Sequence, residues 1–240
     1  PVLAITIPEG LTLEQIANII EKKTKYSKEQ FMEKVNSEEF IHSMMASYPE
    51  LITEEVLDSN IRYPLEGYLF PATYAFYEED VTLDDIIIPM IKKTNDVINE
   101  YQALIAEKEM TVHELLTFAS LLEEEATEKT DRETIASVFY NRLEIGMPLQ
   151  TDPTVLYALG GHKERVLYED LEVQSPYNTY VNPGLPPGPI ANAGVVSIEA
   201  TLNPTDTDYL YFLADKEGNN HFAKSYDEHL QNKSLYLNNK

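Results

Sequence analysis

The chain is strongly acidic and contains no cysteine. It has 240 residues, 43% of them hydrophobic, and its 41 acidic and 18 basic residues give a formal net charge of -23. The lack of cysteine excludes disulfides, thiolate metal sites and cysteine nucleophiles. The negative charge argues against nucleic acid and anionic lipid as partners of the folded surface, because both are bound by clustered Lys and Arg.

Residues 1–50 predict a small domain of their own. Residues 2–7 are typical of a strand, a turn follows, and Thr12 and Ser27 are placed to begin two helices. A strand, a turn and two short helices resemble a LysM-like module, a fold often used to bind polymers of N-acetylglucosamine. Its closing strand is not evident, so we expect a partner strand from later in the chain or only a partial match. A plain α/β cap is the alternative.

Residues 51–240 are predicted to form a second domain, and the fold class is α+β. Prolines and aromatic residues over 64–76 favour extended segments, within which Glu66 must be either paired or functional because its neighbours are apolar. A long helix is predicted over 81–105, with Thr82 as its cap. Near the C-terminus, a hairpin and a polar helix are predicted to close the chain.

The most informative stretch begins at Thr111. Thr111 and Glu114 are spaced as a capping box, and apolar residues then recur at helical spacing. At about 100° per residue, Glu123 falls on the apolar face, whereas Glu124 and Glu125 point to either side of it. Two interpretations stay open at this point: a solvated acidic helix end, or a carboxyl group held in a cleft and available as an acid.

The next helix is predicted to start with a second capping box, formed by Thr130 and Glu133. Only a short connection joins it to the preceding helix, so the two helices are expected to be neighbours. Asn141 and Arg142 would then face the cleft near Glu123.

After residue 146 the sequence changes to irregular loops stiffened by proline. These loops carry the side chains that form carbohydrate grooves, since aromatic faces stack on sugar rings and amides bind hydroxyl and acetamido groups. The candidates are Gln150, Thr151, Asp152, Tyr177, Asn178 and Tyr180. An ordinary set of surface loops is the alternative.

Once the other common kinds of catalytic site are excluded, the sequence favours chemistry led by a carboxyl group. The five histidines include no pair at metal-ligand spacing, and neither a glycine-rich phosphate loop nor a G-x-S-x-G elbow occurs. No metal or other cofactor is therefore expected. Glycoside cleavage commonly uses two carboxylates, but one is enough where the substrate supplies its own hydroxyl as the nucleophile.

Several longer motifs resemble a single known family. They are ASLLEEEA at 119–126, R…ASVFYNRL.IGMPLQTDPTV.YALG at 132–160, SPYNTY at 175–180, GLPPGPIANAG at 184–194 and LEGYLFPATY at 65–74. Together they are similar to the YceG-like (MltG) endolytic murein transglycosylases, over about residues 60–235. The resemblance implies a mixed α+β catalytic domain with a long groove.

The resemblance also implies a reaction. Glu123 matches the first Glu of the family's A-S-hydrophobic-hydrophobic-E-x-E segment, which is the catalytic acid, and Glu125 matches the second. The residue between them, often Lys in the family, is Glu124 here. The implied enzyme is a lytic transglycosylase that cleaves the MurNAc-GlcNAc bond of nascent peptidoglycan strands and leaves 1,6-anhydroMurNAc ends. The groove residues above, with Glu66 and Glu125, would bind the substrate or support the residues that do.

Location and partners follow from the same resemblance. Because the chain begins at Pro1, we expect an upstream membrane helix to be missing, with the catalytic domain on the extracytoplasmic side of a bacterial cell membrane. Peptidoglycan synthases (penicillin-binding proteins) are the expected protein partners, and a non-catalytic glycan-binding scaffold for them is the alternative function. Family members have also been labelled aminodeoxychorismate lyases. That chemistry needs pyridoxal phosphate on a lysine, and the motifs above contain no lysine.

Overall fold

The structure is a computed structural model that describes residues 1–161 and 163–237. Within these ranges the chain forms ten α-helices and two small antiparallel sheets, which confirms a mixed α+β fold. In chain order, the elements are β1 (Leu3–Thr6), α1 (Leu13–Lys23), α2 (Lys28–Asn36), α3 (Glu38–Ser47), β2 (Thr73–Phe76), α4 (Leu83–Glu100), α5 (Gln102–Glu107), α6 (Val112–Glu125), α7 (Arg132–Glu144), α8 (Asp152–Ala158), α9 (Val195–Leu202), β3 (Tyr211–Ala214), β4 (Asn220–Ala223) and α10 (Tyr226–Tyr236). Short 3-10 helices span Glu54–Leu57 and Tyr168–Glu172.

The N-terminal strand finds its partner much later in the chain. β1 pairs with β2 in antiparallel fashion, with Leu3 opposite Phe76 and Ile5 opposite Tyr74. Ile5 is fully buried, and it fixes this register because a slip of one residue would turn its side chain to the other face. The expectation of a partner strand from later in the chain is confirmed, whereas the LysM-like character of residues 1–50 stays a prediction.

Four predicted helix starts are confirmed. In each, a Ser or Thr hydroxyl accepts a hydrogen bond from the backbone N–H three residues later, and the side chain of that residue accepts one in return. The pairs are Thr12 with Gln15, Ser27 with Gln30, Thr82 with Asp85 and Thr111 with Glu114.

The predicted capping box of α7, Thr130 with Glu133, is wrong. Asp131 caps this helix, because its carboxylate accepts from both the backbone N–H and the hydroxyl of Thr134, at 3.0 and 2.7 Å. The Thr130 hydroxyl instead accepts a hydrogen bond from the backbone N–H of Thr127 at 2.6 Å. It therefore closes the turn that precedes the helix.

The long helix predicted over 81–105 is two helices, α4 and α5. They meet at Tyr101, where the backbone leaves helical geometry with φ -109° and ψ 11°. The Tyr101 N–H bonds to the carbonyl of Ile98 at 3.0 Å, which is the tighter three-residue turn that often ends an α-helix.

The chain divides into two compact units. Unit 1 comprises Pro1–Glu123 and Pro187–Ile198, and unit 2 comprises Glu124–Pro186 and Glu199–Lys240. The predicted domain boundary near residue 50 falls inside unit 1 and stays a prediction. No helix in the described ranges, 1–161 and 163–237, is long and apolar enough to cross a membrane.

Each unit has its own core. In unit 1, Phe31, Tyr68 and Phe118 are among the largest fully buried side chains. In unit 2, Phe139 on α7 packs edge-on against Phe212 on β3, with ring centroids 6.0 Å apart. The polar candidate residues lie on loops and helix ends. The close-packed cores support these segments and keep them in place.

Candidate active site

Glu123 lies in the last turn of α6, where the segment 187–198 holds its carboxyl group. We call this segment the returning segment, because it brings the chain back into unit 1. Glu123 Oε1 accepts hydrogen bonds from the Gly194 N–H at 2.9 Å and from the Ser197 hydroxyl at 3.2 Å. Glu123 is half-buried and Glu124 is exposed. The interpretation as a solvated helix end therefore fits Glu124 and not Glu123.

Asn192 anchors the returning segment within unit 1. Its side chain is fully buried and accepts from the Leu69 N–H at 3.0 Å through Oδ1. Its Nδ2 donates to the Leu11 carbonyl at 2.9 Å and to Glu66 Oε2 at 3.1 Å. Glu66, also buried, accepts from the Leu13 N–H at 2.8 Å. Of the two options open for Glu66, the structure shows a paired carboxylate, and its partner positions the segment that binds Glu123.

Two residues of α6 fix the first part of the returning segment. The Ser120 hydroxyl accepts from the Ile190 N–H at 3.0 Å. His113 Nε2 lies 2.8 Å from the carbonyl oxygen of Pro187, and its Nδ1 lies 2.8 Å from the Tyr68 hydroxyl. A carbonyl can only accept, so Nε2 carries the proton and Nδ1 accepts from Tyr68. Sequence reasoning missed these anchors because their partners are distant in the chain.

A second carboxyl group lies against Gly194. A Cβ atom placed on Gly194 would stand 2.4 Å from Cδ and 2.5 Å from Oε1 of Glu9. A side chain at residue 194 would therefore require the exposed Glu9 side chain to move aside. The sequence predicts a turn at residues 8–10 and carries no signal that Glu9 reaches the glycine whose N–H binds Glu123.

Glu125 lies at the start of unit 2, near Thr151 and Asp152. Helical spacing turns Glu125 away from the apolar face of α6, but the side chain is half-buried all the same. Burial raises the pKa of Glu125 to about 7. The nearby Thr151 hydroxyl opposes this shift, and the negative charge of Asp152 adds a smaller increase. Thr151 Oγ1 is buried and makes no hydrogen bond of ordinary geometry within the described part of the chain.

Three more of the predicted residues lie with Thr151 in unit 2, on two loops and the start of α8. The Tyr180 hydroxyl donates to Asp152 Oδ1 at 2.5 Å. Gln150 is exposed and has a left-handed backbone with φ 52°, which is uncommon for a residue other than glycine. Its N–H bonds to the Thr179 carbonyl at 3.2 Å. The structure thus brings together Glu125, Gln150, Thr151, Asp152 and Tyr180 in unit 2.

Tyr177 and Asn178 face the interior of unit 2. Tyr177 is 3% exposed and packs against Tyr157 with ring centroids 4.9 Å apart. Asn178 is fully buried, and its Nδ2 donates to two carbonyls of residues 171–173 at 2.9 Å each. Its Oδ1 accepts from the Tyr180 N–H at 2.9 Å. These two side chains hold the loop that presents Tyr180.

Asn141 and Arg142, which the sequence predicts to face the cleft near Glu123, bond to backbone carbonyls within unit 2. Asn141 Nδ2 donates to the carbonyls of Thr207 and Tyr209 at 2.9 and 2.8 Å. The Arg142 guanidinium donates to backbone carbonyls that include Leu149 at 2.8 Å. Both side chains satisfy backbone acceptors inside unit 2, and Arg142 fixes the residue before Gln150.

Other features of the described residues lie outside this set. A pocket of about 580 Å³ on unit 1 is lined by Glu54, Glu55, Leu57, Asp58, His113 and Pro187. Its lining includes none of the predicted site residues. Across 1–161 and 163–237, no three His, Cys, Asp or Glu side chains are grouped closely enough to hold a metal ion.

Comparison with known proteins gives consistent matches along the chain. A protein of Bacillus subtilis named endolytic murein transglycosylase is 56% identical over 236 residues, which are 98% of this chain and 66% of that protein. A protein of the same name from Streptococcus pneumoniae is 43% identical over 253 residues, covering 100% of this chain and 46% of that protein. The crystal structure of a yceG-like protein from Listeria monocytogenes superposes with a TM-score of 0.94 at 52% identity, covering 96% of this chain and 76% of that one.

These relatives are longer than the chain. It spans about two thirds of the Bacillus protein and about half of the Streptococcus protein. The model of the YceG-like family nevertheless matches residues 2–234, which is nearly the whole sequence. The chain belongs to the YceG-like family.

Proposed function

We propose that the chain is the catalytic part of an endolytic peptidoglycan lytic transglycosylase, with Glu123 as the acid and then the base. The carrying observation is the half-buried Glu123 carboxyl, held through Oε1 by Gly194 and Ser197. The relatives named endolytic murein transglycosylase support the choice of substrate.

The reaction proceeds in two proton transfers at Glu123. The protonated carboxyl donates its proton to the oxygen that bridges MurNAc and GlcNAc, and the C1–O bond breaks with its electron pair on that oxygen. The 6-hydroxyl oxygen of the same MurNAc forms the new bond to C1, and its proton passes to the Glu123 carboxylate. The acid is regenerated, no water is consumed, and the two products together have the mass of the substrate.

The donors around Glu123 suit both halves of this cycle. Gly194 and Ser197 both donate to Oε1 of Glu123 and fix the orientation of its carboxyl group. When the proton leaves, the same two donors stabilise the carboxylate that forms. They are already in position before the reaction begins. Glu66 acts indirectly: it accepts a hydrogen bond from Asn192, and Asn192 anchors the returning segment.

Unit 2 contributes glycan contacts in this proposal. Gln150, Asp152 and Tyr180 are the polar and aromatic groups offered to sugar. Tyr177 and Asn178 hold the loop that carries Tyr180, and Thr151 and Glu125 are the remaining members of the proposed site. A location at the outer face of the bacterial cell membrane, beside peptidoglycan synthases, belongs to the same proposal and rests on the family resemblance.

The decisive experiment compares Glu123→Gln with its exposed neighbour Glu124→Gln. Purified peptidoglycan is digested with each protein and the fragments are analysed by mass spectrometry for 1,6-anhydromuramyl ends. Loss of the acid should lower their yield roughly 10²- to 10⁴-fold, while Glu124→Gln should match the wild type. Thermal unfolding of both variants should stay close to that of the wild type.

Full activity in the Glu123→Gln variant would show that Glu123 is not the catalytic acid. A wild-type protein that binds glycan and releases no fragment would instead favour the non-catalytic scaffold.

A further inference from the structure

Glu9 is a second carboxyl group of unit 1 that lies close to the proposed acid. Its Cδ and Oε1 would stand 2.4 and 2.5 Å from a Cβ atom placed on Gly194, so the carboxyl group packs against that glycine. The Gly194 N–H is the group that donates to Glu123 Oε1, at 2.9 Å. Because a backbone nitrogen and the Cβ of the same residue are about 2.5 Å apart, the nearest oxygens of Glu9 and Glu123 lie within about 8 Å of each other.

The backbone that carries Glu9 is fixed to the returning segment. The Gly10 N–H donates to the Asn192 carbonyl at 2.9 Å, and the Asn192 N–H donates to the Leu11 carbonyl at 2.8 Å. Gly10 has φ 86°, a left-handed conformation that suits glycine and turns the chain directly after Glu9. Asn192 lies two residues before Gly194, so the turn that carries Glu9 is held beside that glycine.

The Glu9 carboxyl group does not stabilise the described part of the chain. It is exposed, and it makes no hydrogen bond or ion pair with residues 1–161 or 163–237. Glu66 differs in this respect, because it is buried and accepts hydrogen bonds from Leu13 and Asn192. The negative charge of Glu9 is therefore available to a ligand bound beside the proposed acid.

The spacing of Glu9 and Glu123 suits a sugar ring placed between them. In glycosidases that use two carboxylates, the pair lies about 5–9.5 Å apart and flanks the bond that is cleaved. When the bridging oxygen is hydrogen-bonded to the acid, C1 of the sugar is about 3.5–4 Å from the donating oxygen. A separation of up to about 8 Å therefore allows Glu9 to approach C1 while Glu123 protonates the leaving oxygen.

We propose that Glu9 lies against the sugar whose bond Glu123 breaks, and that it stabilises the positive charge that develops at C1 and the ring oxygen. The transition state of glycoside cleavage resembles an oxocarbenium ion, and a charge already placed beside it stabilises it without reorganisation. Glu9 takes no proton and forms no bond. Both proton transfers stay at Glu123, and the 6-hydroxyl oxygen still forms the new bond to C1. This inference rests on the proposed function, because it adds an electrostatic group to that reaction.

The test compares Glu9→Gln with Glu9→Asp, and Glu33→Gln is the matched control. The first variant keeps the size of the side chain and removes its charge, whereas the second keeps the charge on a shorter side chain. Glu33 is an exposed glutamate of α2, and its substitution changes the net charge equally. Values of kcat and KM are measured from the release of 1,6-anhydromuramyl ends from soluble glycan strands, and thermal unfolding is followed for each variant.

Loss of the Glu9 charge should lower kcat with little effect on KM. In Glu9→Gln, kcat should fall roughly tenfold and KM should change less than about twofold, since the charge acts on the transition state. This loss is smaller than the roughly 10²- to 10³-fold typical of a buried stabilising group, because water screens the exposed Glu9. Glu9→Asp should retain more activity than Glu9→Gln, and Glu33→Gln should match the wild type. All three variants should unfold near the wild-type temperature.

Three results would overturn the role of Glu9. The first is a wild-type kcat in Glu9→Gln. The second is an equal loss in Glu9→Asp and Glu9→Gln with lower unfolding temperatures, which would mean a structural role. The third is a loss as large as that of Glu123→Gln, which would mean that Glu9 transfers a proton.

The digest separates this inference from the proposed function. Anhydro products that require Glu123, together with full activity in Glu9→Gln, would remove only the assignment of Glu9. A wild-type protein that releases no anhydro ends would overturn the proposed function, and the role of Glu9 with it.

Discussion

The proposed acid depends on one backbone N–H, that of Gly194. Gly194 gives its N–H to Glu123 and at the same time lies directly against the carboxyl group of Glu9. A side chain at residue 194 would have to displace Glu9, which is exposed and can swing away. The backbone position, rather than the packing, is therefore what the site requires of this residue.

Ser197 is the second donor to Glu123 and allows a sharper test at the level of one atom. Ser197→Ala should lower kcat by about tenfold or more with little change in KM, because a hydrogen bond to a charged group is worth about 1.5–3 kcal/mol. Both kcat and KM are measured from the steady-state release of anhydro fragments. Ser43→Ala, at an exposed position on α3, is the matched control and should behave as wild type. An unchanged kcat in Ser197→Ala would show that the Gly194 N–H suffices.

Helical spacing alone places Glu123 on the apolar face, so the sequence could select it. Its donors could not be selected in the same way, because they lie 71 and 74 residues away and nothing near Glu123 encodes them. Loop composition likewise indicated Tyr177 and Asn178 but could not tell which way they face. Both are buried, because the loop folds over them and uses them as its internal support.

At the scale of elements, local chemistry decides where helices begin. Capping boxes are encoded within four residues, which is why four of them could be predicted. At α7 two cap residues, Thr130 and Asp131, stand side by side. The spacing of Thr130 with Glu133 suggested a capping box, but Asp is the stronger N-cap residue and caps the helix. The strand partner of β1 was also beyond local reasoning, since β2 lies about 70 residues later.

The cap of α7 gives a stability prediction. Asp131→Ala should lower the free energy of unfolding by about 1–2 kcal/mol, because it removes the acceptor for both the N–H and the hydroxyl of Thr134. Urea unfolding followed by circular dichroism should show a lower midpoint with an unchanged slope. Thr130→Ala, which leaves the helix cap in place, should cost less. If Thr130→Ala lowered the free energy of unfolding more than Asp131→Ala, Thr130 would be the cap after all.

At the scale of the whole molecule, the charge of -23 sets the response to salt. Ion pairs such as Lys25 with Asp80 and Lys92 with Asp96 are largely exposed, and exposed pairs contribute little to stability. Repulsion among the excess carboxylates outweighs these attractions, and it weakens as the Debye length shortens.

Raising sodium chloride from 20 to 300 mM should therefore raise Tm by a few degrees, roughly, since screening relieves the net repulsion. Calorimetric or fluorescence melting measures it. Potassium chloride at equal ionic strength should give the same curve, because screening does not depend on the identity of the ion. A falling Tm would mean that the exposed ion pairs outweigh the repulsion.

The returning segment also sets an order of events during synthesis. Unit 1 is not contiguous: its first part ends at Glu123 and its last part ends at Ile198. At roughly 5–20 residues per second, the ribosome needs about 4–15 s to make the intervening stretch. Until that stretch has emerged, Glu123 has neither Gly194 nor Ser197 to bind it. The N-terminal unit therefore cannot be finished first, as contiguous domains are, and the carboxyl group proposed for catalysis is held in place only once most of the chain exists.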